Sequence, residues 1–231
     1  MSSATATSNT LNDPQALPNF NEINIQDIES SISKHLDDNL NAIKTLSQQA
    51  NPSWDSLIAK LEEYDDVLSK AWSPVSHLNS VCNSDELRDA YNACLPKLSA
   101  YSTEVGQNKD LQQAYQAIKD SAEFAQLNTA QQKAIDNSLR DFHLAGVDLS
   151  DDKKLRYGEI KSRLSDLGSK YGENVLDATN KWQKLITDKA DLAGVPDSAL
   201  ASFEQAAKAD DKEGYLLTLD FPCYLPVMTY C

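Results

Sequence analysis

The sequence predicts a mainly α fold, a multi-helix lobe with a short β-hairpin at its C-terminal end. Three observations carry that expectation. Only 7 Gly occur in 231 residues, well below an average usage of about 7%, while Ala, Leu, Gln, Lys, Asp and Glu are abundant, a balance that favours helices over turn-rich sheets. Apolar residues recur at three- and four-residue steps through most of the chain, as on a helix with one buried face. After Gly214 the period falls to two, which is that of a strand.

Residues 1–22 are rich in Ser, Thr and Asn and read as a flexible arm. A first helix is expected from about Ile25, with Ile25, Ile28, Ile32, Leu36, Leu40, Ile43 and Leu46 on one stripe. Pro52 interrupts it and Ser53 caps the next helix, whose stripe is Trp54, Leu57, Ile58, Leu61, Tyr64, Leu68 and Trp72. Pro74 is expected to kink or end that helix. Asn83, with Glu86 three residues on, reads as the following cap, and Gly106 and Asn108 mark a break. Tyr115, Ile118, Phe124, Leu127, Ile135, Leu139 and Phe142 carry further helix, closed by Gly146.

The longest helical candidate begins after Ser150 and reaches "NKWQKLI". Its interior Gly158, Gly168 and Gly172 imply close packing or a break. A turn and shorter helix follow, up to Gly214. Tyr215, Leu217, Leu219 and Phe221 then alternate with polar residues as a strand, and "CYLPVMTYC" reads as its return strand, Pro226 placing it at an edge.

The formal charge of −14, from 21 basic and 35 acidic residues, argues against a nucleic-acid partner or an anionic membrane surface, which need clustered Lys and Arg. No apolar run has the length of a membrane helix. The first residues lack a basic segment and an apolar segment, so no leader is expected and the protein is placed in the cytoplasm. Cys82, Cys94, Cys223 and Cys231 form no C-x-x-C pair and read as reduced thiols.

The chemistry-bearing residues do not assemble into a motif. His35 lies beside the first apolar stripe and reads as a packed histidine. His77 is either structural or channel-facing. His143 sits at a helix end, where a cation suits the dipole. The pairs Asp37–Asp38, Glu62–Glu63, Asp65–Asp66, Asp151–Asp152 and Asp210–Asp211 point about 100° apart on a helix and read as solvated faces. No H-E-x-x-H and no Gly-rich phosphate loop occur.

Five stretches nonetheless carry a specific likeness: "LPNFNEINIQDIESSI", "LSKAWSPVSHLNSVCNSDELRDAYNACLPKLSAYSTEVGQN", "AIDNSLRDFHLAGVDL", "KYGENVLDAT" and "EGYLLTLDFPCYLPVMTYC". In this order, from about Leu17 to the end, the chain resembles the N-terminal region of the thimet oligopeptidase and neurolysin family (M3) of zinc metallopeptidases. The resemblance implies a helical lobe that walls a narrow channel admitting short peptides. In such enzymes zinc, held by an H-E-x-x-H helix and a downstream Glu, polarises the scissile carbonyl and acidifies a water. Those ligands lie beyond the equivalent of Cys231, so no catalytic, cofactor-binding or metal residue carries over, and this chain alone is expected to be inactive and free of zinc.

The implied organisation is an arm over 1–22, a helical N-terminal lobe over 23–212, and over 213–231 the start of a hairpin belonging to a missing C-terminal catalytic region, the chain's implied partner. Cys231 then reads as a cut. The alternative is a free-standing helical binding or scaffold module. Leaving Tyr215, Leu217, Leu219 and Phe221 uncovered forgoes roughly 6–12 kcal/mol, which favours the fragment over the module.

Overall fold

The computed structural model describes residues 10–12 and 17–231, and these fall into two compact units, 1–166 and 167–231. In the first unit α1 (Ile28–Leu46) packs on α2 (Ala59–Val81) and α3 (Asp85–Gly106), and α4 (Lys109–Lys119) packs on α5 (Thr129–Leu144). The helix α6 (Asp151–Lys181) begins in this unit and ends in the second.

Local chemistry sets the helix ends. Ser53 accepts from the backbone of Ser56 while the Ser56 hydroxyl accepts from the Ser53 N–H, a reciprocal box at a single π-helical turn, Trp54–Ile58. Asn108 and Asn128 cap α4 and α5, accepting from the N–H groups of Leu111 and Gln131, and the Gln131 side chain returns the bond at Asn128. The cap of α3 is Ser84, which accepts from Leu87, one residue beyond the expected Asn83; Asn83 instead donates to Asn79 and accepts from Arg88. Gly146 takes φ +89 after α5, the left-handed stop that its position predicts.

Two apolar clusters hold the first unit. One joins Leu11 to Ile28, Ile32 and Leu36 of α1, Leu68, Ala71 and Val75 of α2, and Leu87 and Cys94 of α3. The other joins Ile43, Leu57, Ile58 and Leu61 to Leu111, Ala114 and Ile118 of α4 and Ile135 and Phe142 of α5. Tyr101 packs against both. Each fully buried Leu or Ile contributes about 1.5–3 kcal/mol. Leu11 falls in the stretch read as an arm, and its carbonyl lies 2.7 Å from His35 Nε2; residues 1–9 and 13–16 of that stretch lie outside the described residues. Of the two outcomes expected at Pro74, a kink or an end, the helix does not end there: α2 runs through Pro74 to Val81. Pro74 is buried among the residues that hold α2, so packing sustains the helix where one backbone bond is lost.

In the second unit β1 (Gln183–Ile186) pairs antiparallel with β2 (Tyr215–Thr218), Gln183 opposite Thr218 and Ile186 opposite Tyr215. Two expectations change here. The long helix stops at Lys181, short of Ile186, because its last residues supply the partner for β2. The expected return strand is a helix, α8 (Phe221–Tyr230), begun where Asp220 accepts from the N–H groups of Cys223 and Tyr224. Pro222 fixes a helical φ at its first turn, where a missing N–H costs nothing.

The sheet is covered by α7 (Asp197–Ala209). Leu200 and Phe203 of α7, Leu217 of β2, Cys223 of α8, and Leu192 and Val195 form one cluster. The neighbours Leu216 and Leu217 are both buried, whereas Leu219 and Phe221 are exposed, so burial does not follow the alternation of the sequence.

Candidate functional site

A cleft of about 400 Å³ in the first unit is walled by α1 to α5. Its apolar lining includes Ile43, Leu61, Leu111 and Phe142, and its phenols are Tyr64, Tyr101 and Tyr115. The pattern that builds it is regular. On α1 the buried positions Ile32, Leu36, Asn39 and Ile43 follow one stripe, and the third of them is polar. A polar side chain there, 3% exposed, requires partners.

It finds them on two other helices. Asn39 Nδ2 donates to Asp65 Oδ1 at 3.3 Å and to Tyr101 Oη at 3.2 Å, and Tyr101 Oη donates to Asp65 Oδ1 at 3.2 Å. Desolvation raises the Asp65 carboxyl above its ordinary value against the lowering effect of the Tyr101 bond, although the residue as a whole is exposed. Burial pushes Tyr101 up to about 12, with the Asp65 charge adding to it and the Asn39 bond opposing it. Burial also pushes Tyr115 to about 12, helped by the charges of Asp65 and Glu62. Asp65 keeps the exposure expected of it, and in addition carries bonds from Asn39 and Tyr101 on two other helices. Asp66, Asp38 and Glu63 likewise lie on exposed faces, paired with Lys70, Lys34 and Lys60.

The three histidines are dispersed. His35 is buried at the Leu11 carbonyl. His77 is exposed, its ring 5.7 Å from that of Phe20. His143, exposed at the end of α5, meets Asp148 Oδ2 at 2.7 Å. Among the described residues no three His, Cys, Asp or Glu side chains converge on a point that a metal ion fits. These residues do not fit a catalytic zinc. Among the described residues no helix is long and apolar enough to cross a membrane.

The model of the neurolysin/thimet oligopeptidase N-terminal domain matches residues 31–154, over half of the chain and the part that contains the cleft. Oligopeptidase A of Haemophilus influenzae is 53% identical over 224 residues, covering 97% of this chain and 33% of the relative. Oligopeptidase A of Escherichia coli is also 53% identical, covering 96% and 33%. A probable cytosolic oligopeptidase A of Arabidopsis thaliana is 35% identical, covering 98% and 33%. The chain thus spans about a third of the length of the curated relatives it matches.

Proposed function

The chain belongs to the neurolysin/thimet oligopeptidase family, and from that premise we propose that it is the N-terminal portion of a zinc-dependent, cytoplasmic oligopeptidase that hydrolyses short peptides. The observation that carries this reading is identity of 53% to oligopeptidase A across 97% of the chain, spanning 33% of that relative. In this reading the helices form one wall of a narrow channel. The wall selects short, flexible peptides by exclusion and limits water around the reacting bond. The metal ligands and the catalytic base belong to the remaining two thirds, so this chain alone is inactive.

Exposed apolar residues support the same reading. The 31-residue α6 has no buried residue, and Leu155, Leu164 and Tyr171 on it are exposed, as are Phe221 and Met228 on α8. Such surface is what a further region of an oligopeptidase would cover. The test is an exchange. Escherichia coli oligopeptidase A carrying this chain in place of its own matching third is expected to cleave a quenched fluorescent peptide in a chelator-sensitive manner. A folded exchange protein that retains zinc but cleaves nothing would contradict the proposal.

A further inference from the structure

The cleft of the first unit has a charge pattern that the channel-wall reading does not use. Among the described residues its charged lining consists of Asp65 and Asp141, with no Lys or Arg. Asp141 is held by its neighbour Arg140, at 3.0 and 2.8 Å. Asp65 pairs with no cation among the described residues, and its Oδ1 takes both the Asn39 and the Tyr101 bonds. The rings of Tyr64, Tyr101, Tyr115 and Phe142 line the same cleft. Ring faces attract a cation, and a carboxylate in a half-desolvated cleft attracts it more strongly than one in open water.

We propose that this cleft is a binding site for an organic ammonium ion with an apolar stem, the cation at Asp65 and the stem against Leu61, Leu111 and Phe142. The volume of about 400 Å³ lies within the range of small-molecule sites, about 300–1,000 Å³. The cluster is preorganised for this. Asn39 and Tyr101 fix one carboxylate oxygen, and no hydrogen bond to Oδ2 occurs among the described residues. A carboxylate so oriented binds a cation with little side-chain ordering left to lose. An anion is disfavoured by Asp65 and Asp141. A wholly apolar ligand would leave the Asp65 charge uncompensated and further desolvated.

The ammonium has two possible sources, a free amine or a lysine side chain of a peptide, and the experiment separates them. Titrating the 231-residue chain with 2-phenylethylammonium and following amide and side-chain shifts by NMR is expected to show saturable binding, with the Asn39 side-chain amide among the largest shifts. The neutral isostere 2-phenylethanol is expected to bind at least tenfold more weakly, and Asp65→Asn to weaken the amine at least tenfold while leaving the neutral compound unchanged. Displacement by a lysine-containing heptapeptide, but not by its norleucine counterpart, assigns the site to peptide side chains; failure of both to displace assigns it to free amines. Equal binding of amine and alcohol to the unaltered chain, no saturable binding, or an Asp65→Asn protein that binds the amine undiminished would overturn the proposal. Binding is read without catalysis, so failure here leaves the peptidase reading standing and the reverse also holds.

Discussion

The two units differ in how their elements are determined. In the first, helices of 11 to 23 residues face two apolar clusters that Tyr101 adjoins, and local caps at Ser53, Ser84, Asn108 and Asn128 fix where they start. In the second, two four-residue strands and a ten-residue helix depend on one small cluster around Phe203 and Leu217. Long periodic segments declare themselves because many positions agree on one face. Short ones are decided by whatever surface is available to cover them, so propensity and period are overridden by tertiary contact.

The sharpest way to test that difference is to remove one core residue from each unit. Phe203→Ala is expected to cost about 3–5 kcal/mol and to abolish amide-exchange protection in β1 and β2 while α1 to α5 stay protected. Ile118→Ala, in a fully buried position, is expected to cost about 2–5 kcal/mol with loss of protection in α4 and α5 first. Coincident loss across all elements in both variants would erase the distinction between the units.

Gly194→Ala probes the smaller unit at one turn. Gly194 has φ +99, and a Cβ there would collide with the Tyr230 carbonyl oxygen. A cost above about 1 kcal/mol is expected from the backbone strain alone, with α8 displaced; denaturant unfolding followed by tyrosine fluorescence measures it. Ser53→Ala removes the cap of the π-turn and is expected to cost about 1 kcal/mol, read from a shift in the denaturation midpoint at unchanged slope.

The smallest effect has the opposite sign. Because desolvation raises the Asp65 carboxyl, the folded state holds its proton to higher pH than the unfolded chain does. Ionised Asp65 therefore lowers stability above its folded value, and that penalty vanishes as pH falls below the unfolded value, 3.8. Asp65→Asn, which keeps an acceptor for Asn39 and Tyr101, is expected to stabilise at pH 7 by less than about 1 kcal/mol, solvent screening limiting it, with no gain near pH 3. Thermal melts at the two pH values check this. For Tyr101 and Tyr115, raised to about 12, stability falls as pH rises from 10 toward 12, and absorbance near the tyrosinate band should show late ionisation.

The same contrast explains what was legible. The stripes of α1 and α2, the Ser53 cap and the Gly146 stop are local patterns and read directly. That α2 does not end at Pro74 was not legible, because burial, a property of the fold, sustains the helix there. Residues 183–186 read as the tail of a helix because their strand partners, residues 215–218, are remote in sequence, and "CYLPVMTYC" reads as a strand until the surface of α7 is known. Within the cleft, Asn39 went unread: the expected stripe ran through Leu40, whereas the buried position is its polar neighbour. Its partners were not legible either, since Asp65 and Tyr101 come from other helices and the adjacent acids Asp65 and Asp66 differ only in what faces them.

The most direct measurement is peptide cleavage by the pure 231-residue chain with zinc supplied, followed with a quenched fluorescent peptide with and without chelator. The account predicts no chelator-sensitive cleavage and no stoichiometric zinc in the dialysed protein. Chelator-sensitive turnover by this chain alone would contradict it.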